Sequence, residues 1–317
     1  MAGSTVMAQA EALANAGREA EAHALVAAAV ARGDPEAMMA TAAWKLFGMD
    51  GPRDPGAAKA LLARAADAGH LPALTLLARI TGNSACGPAG WGAAIILLER
   101  AAATDTKSRA ELTLVRALDR PLPAPERLSD SPNVVRFPGL LSQAECDWLI
   151  AAAEPGIAPS LVVDPRSGRP IADPVRRAGA MSFGPLDEDL AVRAIGLRIA
   201  AASNTGIDRV EPLAVLRYNP GDEYRPHLDT IPGLANQRAV TVLTYLNDGF
   251  DGGATVFSET GLSVAPRTGD AIVFQTLDAA GRPDPMTRHA GAPVTRGTKY
   301  LCSRWIRSAA HDIWSQP

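Results

Sequence analysis

Pro121, Pro123 and Pro125 fall within five residues of one another, in Arg120-Pro121-Leu122-Pro123-Ala124-Pro125. No helix continues through such a stretch, because each proline removes an N–H donor and fixes φ. The chain reads differently on its two sides. From Val6 to about Arg120, Ala and Leu recur at helical spacing, with breaks at Gly33-Asp34-Pro35, Gly51-Pro52, Gly69-His70 and Gly87-Pro88, which predicts an all-α half. Beyond the break, short β-type runs are punctuated by Gly and Pro. The expected organisation is a helical domain over 1–122, a Pro-rich linker over 123–132 and a second domain over 133–317.

The helical half repeats itself. Asp34-Pro35-Glu36-Ala37, His70-Leu71-Pro72-Ala73 and Lys107-Ser108-Arg109-Ala110 each open a helix, at offsets of 73 − 37 = 36 and 110 − 73 = 37 residues. A helical hairpin of this size cannot bury its apolar face alone, so neighbours stack, and small Ala side chains let helices approach closely. The pattern resembles Sel-one-like repeats, relatives of the tetratricopeptide repeat. The resemblance leaves two roles open: a cap on the second domain, or a docking surface for a protein partner. The Ala/Val run Ala24–Ala31 follows Glu19 and Glu21 and no basic segment, so it reads as an amphipathic helix and not a signal peptide. No stretch reaches the roughly 18 apolar residues of a membrane span.

Lys and Arg number 31 against 34 Asp and Glu, a formal charge of −3, which excludes a basic nucleic-acid scaffold. No basic stripe with interleaved aromatics is present, so neither nucleic acid nor membrane is an expected partner. Cys86, Cys146 and Cys302 are far apart, odd in number and without a C-x-x-C pair. They read as small buried hydrophobes in a reducing compartment, and a cytoplasmic location is expected.

In the second half, Val134–Phe137 suggests a strand, and Ser142-Gln143-Ala144-Glu145 is a capping box opening a helix through Ala153. A further helix is expected over Leu186–Ala202. Strands follow at Leu213–Tyr218, Ala239–Leu246, Ala254–Phe257 and Ala271–Phe274, then a closing hairpin from Gly291–Val294 to Lys299–Ile306. Many short strands of this kind predict a β-sandwich or jelly roll.

His227-Leu228-Asp229 departs from packing logic. Ligand types at i and i+2 on an extended segment project to one face, as a chelate requires. The chain has five histidines: His23, His70, His227, His289 and His311. His289, 289 − 227 = 62 residues on, is the candidate third ligand. Two imidazoles and a carboxylate on one face of an octahedron leave open positions, the arrangement of non-haem Fe(II) oxygenases. The same donors do not exclude zinc. Lys299 lies ten residues after His289, and placing both on one hairpin predicts a shared inward face. A buried lysine needs an anion, whereas a surface lysine needs nothing.

Residues Val134 to Ser308 resemble the catalytic domain of the prolyl 4-hydroxylase group of Fe(II)/2-oxoglutarate dioxygenases. The matching stretches are Leu216–Asp229 (LRYNPGDEYRPHLD), Thr241–Asp248 (TVLTYLND), Gly252–Phe257 (GGATVF), Pro266–Phe274 (PRTGDAIVF) and His289–Val294 (HAGAPV) leading to Lys299. The resemblance implies a double-stranded β-helix with flanking helices, a jelly-roll variant, as the second half of a multidomain α and β chain. It implies that His227, Asp229 and His289 bind Fe(II), and that Lys299 grips the distal carboxylate of 2-oxoglutarate with help from Tyr218 and Thr241. Tyr224, Trp305 and Arg177 are its implied substrate contacts. The implied reaction is hydroxylation of a C–H bond, with a prolyl residue of a peptide or protein as the leading target, consuming O2 and 2-oxoglutarate and releasing succinate and CO2, with ascorbate as a supporting reductant. A free amino acid or other small molecule is the alternative substrate, and a non-catalytic repeat-based adaptor the alternative class. The chain departs from the family pattern at Ala178-Gly179, Phe257-Ser258, Lys299-Tyr300 and Arg288, positions that spare the implied ligands and bear on the substrate.

Overall fold

A computed structural model of the chain describes residues 5–49, 51–83, 90–163, 170–173 and 175–312. Two compact units emerge: Met1–Arg116 with Glu188–Arg193, and Ala117–Asp187 with Ala194–Pro317.

The first unit is helical: α1 (Val6–Asn15), α2 (Glu19–Ala31), α3 (Pro35–Phe47), α4 (Pro55–Asp67), α5 (Leu71–Gly82), α6 (Trp91–Ala102) and α7 (Thr106–Ala117). Polar caps set the starts. The Asp34, Asp54 and His70 side chains each accept an N–H from three residues ahead, and a proline occupies the first or second helical position after each. Successive helices α2, α4 and α6 begin at 19, 55 and 91, so 55 − 19 and 91 − 55 both equal 36. Ala37, Ala42, Ala58, Ala65, Ala73, Ala94 and Ala101 are fully buried, and their small side chains permit close helix packing. The run Ala24–Ala31 lies within α2. Among the described residues, no helix is long and apolar enough to cross a membrane.

The second unit contains β1 (Glu126–Asp130), β2 (Asn133–Phe137), α8 (Gln143–Ala153), β3 (Ala158–Pro159), β4 (Leu161–Val163), β5 (Pro170–Ala172) and β6 (Gly179–Ser182). Helix α9 (Leu190–Ala202) follows, its first residues counted with the helical unit. The remaining strands are β7 (Ala214–Tyr218), β8 (Tyr224–His227), β9 (Arg238–Tyr245), β10 (Asp251–Gly252), β11 (Thr255–Phe257), β12 (Ser263–Val264), β13 (Ala271–Gln275), β14 (His289–Gly291), β15 (Val294–Arg296) and β16 (Lys299–Arg307). An eight-stranded sheet runs β1-β2-β13-β9-β16-β7-β6-β3, and a four-stranded sheet runs β12-β11-β14-β8. Small ladders β10-β15 and β4-β5 complete the set. Residues of both large sheets share one core, including Leu243, Tyr245, Ile272 and Leu301 from the larger and Phe257 from the smaller. Phe257 meets Phe274 edge to face at 5.2 Å, joining the layers. This is the jelly-roll arrangement expected from the strand pattern.

Three local expectations need correction. The stretch 123–132 carries β1 where a linker was expected: Pro125 is followed by six residues without proline, and Glu126–Asp130 pair with β2 as a mostly exposed edge strand that shows no apolar alternation. Helix α9 begins at Leu190 and not Leu186, because Pro185–Asp187 form a turn and the Asp189 carboxylate accepts the Val192 N–H at 2.8 Å. The closing hairpin is absent. Chain from His289 to Gly291 belongs to the four-stranded sheet, while β15 pairs with β10, and β16 lies in the eight-stranded sheet between β9 and β7. The capping box at Ser142 and Glu145 is present as expected.

Cys146 and Cys302 are buried free thiols, pushed up to about 12 chiefly by that burial. Cys86 lies outside the described residues, as does most of Asp164–Asp173, a segment the Gly, Pro and Arg content marks as a candidate lid.

Candidate active site

The antiparallel register of β8 against β14 sets His227 directly opposite His289. Asp229 follows two residues after His227, just beyond the end of β8. The two histidines and Asp229 each offer a ligand atom, and these atoms lie within 4.8 Å of one another. His227 Nε2 is 3.5 Å from Asp229 Oδ1, and His289 Nε2 is 3.8 Å from Oδ2.

Main-chain carbonyls fix both rings. His227 Nδ1 donates to the Arg225 carbonyl at 2.8 Å and His289 Nδ1 to the Thr287 carbonyl at 3.0 Å, which leaves each Nε2 with its lone pair. Phe257 and Phe274 wall His289, at centroid distances of 5.8 and 5.0 Å. Burial holds the His289 imidazole below its ordinary pKa, so the ring is neutral. Asp229 is also buried. Burial opposes its ionisation, yet the attraction of His289 and His227 whenever either ring is protonated, and the hydrogen bond from the Thr241 hydroxyl, hold the carboxyl below the usual range. Two imidazoles whose Nε2 atoms face one ionised carboxylate form a ligand set for a divalent metal. His227 Nε2, buried and without a hydrogen-bond partner, is the orphan such an ion would satisfy.

Lys299 comes from the other sheet. Its register partner on β7 is Tyr218, and Lys299, Leu301, Ser303 and Trp305 alternate along β16 to line one cavity with Tyr218, Tyr224, His227, Asp229 and His289. The empty space among these side chains, its opening to solvent included, is about 350 Å³. Lys299 is 1% exposed, and its ammonium donates to the Gly253 carbonyl at 2.7 Å, with the Tyr218 and Tyr245 rings at 5.2 and 5.7 Å. Burial alone lowers its pKa from 10.5 to about 8, and no carboxylate among the described residues offsets that cost. A buried cation with this surrounding is built to receive an anion.

His289 and Lys299 therefore meet across two sheets and not along one hairpin, because Gly291-Ala292-Pro293 carries the chain out of the four-stranded sheet. Thr241 has a different partner from the one the resemblance implied. Its hydroxyl donates to Asp229 Oδ2 at 2.6 Å, so it orients the carboxylate and does not line the cavity. The Arg177 side chain is exposed and away from the cavity, with its main-chain N–H on the Glu223 carbonyl. Its neighbour Arg176 lies against Tyr224 instead. It bridges to Tyr224 through the backbone, and its guanidinium lies 5.7 Å from that ring. Adjacent residues of extended chain point to opposite sides, and the 175–177 segment runs along the free edge of β8.

Tyr224 stacks on His227 at 3.5 Å and 14°, and burial, aided by Asp229, pushes its phenol up to about 12. Trp305 lines the cavity with a buried Nε1 that has no hydrogen-bond partner. Arg238 lies over the indole at 4.1 Å, is held by both oxygens of Glu211 at 2.7 Å, and donates to the Asp229 carbonyl at 3.3 Å. Sequence reading missed Glu211, Arg238, Ser303 and Thr255, whose hydroxyl accepts from Tyr245 at 2.8 Å. Ser303 was accessible through the period-two face of β16; the ion pair from Arg238 to Glu211 had no local signal.

Residues 213–307 match the family model of the 2OG-Fe(II) oxygenase superfamily. Prolyl 4-hydroxylase 1 of Arabidopsis thaliana is 33% identical over 205 residues, covering 59% of this chain and 72% of that protein. Probable prolyl 4-hydroxylase 3 of the same plant is 33% identical over 212 residues, covering 59% and 74%. Among solved structures, the viral collagen prolyl hydroxylase of Paramecium Bursaria Chlorella virus-1 in its 2OG complex is 27% identical, covering 57% of this chain and 99% of that one, with a TM-score of 0.46. The chain belongs to the prolyl 4-hydroxylase family of Fe(II)- and 2-oxoglutarate-dependent dioxygenases.

Proposed function

We propose that the cavity hydroxylates a prolyl residue of a peptide or protein, with His227, Asp229 and His289 holding Fe(II) and Lys299 receiving the distal carboxylate of 2-oxoglutarate. The observation that carries this reading is the convergence of a bis-imidazole and carboxylate set with a buried ammonium in one cavity. When bound, the iron and 2-oxoglutarate supply the oxidising chemistry that uses O2 and yields succinate and CO2.

The protein's own residues do the rest. Thr241 fixes the Asp229 carboxylate, and the Arg225 and Thr287 carbonyls fix the two imidazoles. Lys299 orients the cosubstrate, while Leu216, Leu243 and Leu301 exclude water from its path. Tyr224 and Trp305 offer aromatic faces to a substrate ring, and Arg176 braces Tyr224. The 36-residue spacing of helix starts supports reading the first unit as Sel-one-like repeats, with stabilising the enzyme and docking a protein partner as the two roles such repeats allow. The buried thiols of Cys146 and Cys302 suit a reducing, cytoplasmic setting. The test is a mass-spectrometric screen of proline-containing peptides and free amino acids. The expected result is the gain of one oxygen on a peptidyl proline, dependent on both iron and 2-oxoglutarate. Gain on free amino acids alone, or on nothing, refutes the assignment.

A further inference from the structure

Gly253 is held from both sides. Its N–H donates to the Pro293 carbonyl at 3.0 Å, Gly252 before it pairs with Val294, and the Ala292 N–H donates to the Ala254 carbonyl at 2.8 Å. Its φ is +66°, in the left-handed region that favours glycine. A Cβ at this position would stand 2.8 Å from Phe250 Cε2, 3.0 Å from Lys299 Cδ and 3.3 Å from Val294 Cγ2. The lysine stem thus passes over the face of the turn where a side chain would project, and its ammonium ends on the carbonyl of the same residue.

We propose that the Gly252-Gly253 turn is the positioning element of the cosubstrate anchor: the Gly253 carbonyl commits one N–H of Lys299, and the bare Cα lets the stem reach the cavity. This rests on the reading of Lys299 as the carboxylate receptor. The Gly253 carbonyl takes one of the three ammonium donors, and the Tyr218 and Tyr245 rings flank the nitrogen at 5.2 and 5.7 Å. Gly253 touches neither metal nor cosubstrate, so it acts through Lys299.

The experiment titrates the full-length Fe(II)-loaded protein with 2-oxoglutarate under anaerobic conditions, following the charge-transfer absorption, and measures Fe(II) affinity and thermal midpoint separately. Gly253→Ala is expected to bind 2-oxoglutarate about tenfold more weakly, as for a weakened charge-assisted hydrogen bond. Its Fe(II) affinity stays within about twofold, and KM for 2-oxoglutarate rises while kcat at saturation is retained. Gly261→Ala is the strain control. Its φ is +71° and its Cβ meets nothing within 4 Å, so it shares the backbone penalty without the lysine contact. Should Gly253→Ala fail to fold, the pair Gly253→Ala/Phe250→Leu, compared with Phe250→Leu alone, relieves the ring contact and keeps the lysine one. An unchanged 2-oxoglutarate affinity in a folded Gly253 variant overturns the proposal, as does an equal loss in Gly261→Ala. Absence of iron-dependent 2-oxoglutarate binding in the unsubstituted protein overturns the underlying reading as well, and so is told apart.

Discussion

His227 and His289 are cross-strand partners whose ring centroids lie 4.4 Å apart, each with Nδ1 spent on a main-chain carbonyl. The two Nε2 atoms are therefore presented by sheet register and not by side-chain freedom. His289→Ala removes one of the three proposed ligands, and succinate formation is expected to fall to background in an assay of 2-oxoglutarate decarboxylation. Retained turnover would show that the metal sits elsewhere.

Thr241 tests the second layer. With its hydroxyl on Asp229, Thr241→Val is expected to lower Fe(II) affinity roughly ten- to a hundredfold, the usual cost of losing a group that orients a metal ligand. The affinity of the iron-loaded variant for 2-oxoglutarate should be unchanged. The reverse pattern, in a pair of binding titrations, would return Thr241 to the cosubstrate.

For Lys299 both substitution and pH are informative. Lys299→Ala should weaken 2-oxoglutarate binding roughly a hundredfold and Fe(II) binding hardly at all, because a buried charge pair loses one partner. The native ammonium titrates at about 8 while the unfolded one keeps its proton to near 10.5. Between those values the unfolded chain binds more protons, so this group lets stability rise with pH across that window. Cosubstrate affinity runs the other way: it is full below about pH 8 and declines above it as the ammonium is lost. Isothermal titration at pH 7, 8 and 9 reads the trend, and a flat profile matching Lys299→Ala would remove the lysine from the anion site.

Arg176 and Arg177 are neighbours with opposite prospects. Arg176→Ala loosens the ring stacked on His227 and is expected to raise KM for a peptide substrate several-fold, whereas Arg177→Ala stays within about twofold of the unsubstituted enzyme. Steady-state kinetics on a proline peptide decides between them.

Arg198 on α9 predicts a stability effect remote from the chemistry. Its guanidinium donates to the carbonyls of Leu140 at 2.8 Å, Arg120 at 2.7 Å and Pro121 at 3.0 Å. The prolines of this stretch cannot enter a helix or ladder, so the side chain satisfies carbonyls that secondary structure does not. Arg198→Met is expected to cost about 1–2 kcal/mol in urea unfolding, because the Arg120 and Pro121 carbonyls lose this donor and the buried Leu140 carbonyl keeps only the Arg120 guanidinium. A loss within experimental error would show that those carbonyls find other partners.

Much of the site was legible because its residues are scarce or paired in sequence. His227-Leu228-Asp229 announces itself on extended chain, and with five histidines the third ligand has few candidates. The capping box, the helix-opening prolines and the alternation on β16 are likewise local signals. What stayed hidden depends on which atoms become neighbours. Strand parity places Thr241 on a face but does not tell whether its hydroxyl reaches Asp229 or the cavity. The 175–177 segment pairs with β8 outside any regular strand, so nothing local distinguishes Arg176 from Arg177. The relation of His289 to Lys299 was misread because spacing alone cannot show a chain leaving one sheet at Gly291-Ala292-Pro293 and entering another at Lys299. Glu211 is anonymous until Arg238 and Arg307 close on it.

The proposed metal ligands hang from the smaller sheet and the chain just beyond β8, and the ammonium from the larger sheet. A five-carbon diacid gripped at both ends would then act as a clasp between the layers, spent and renewed with every turnover. The empty enzyme should breathe along the seam that the loaded one holds shut, and amide hydrogen exchange in β8 and β16 should slow together when 2-oxoglutarate is added.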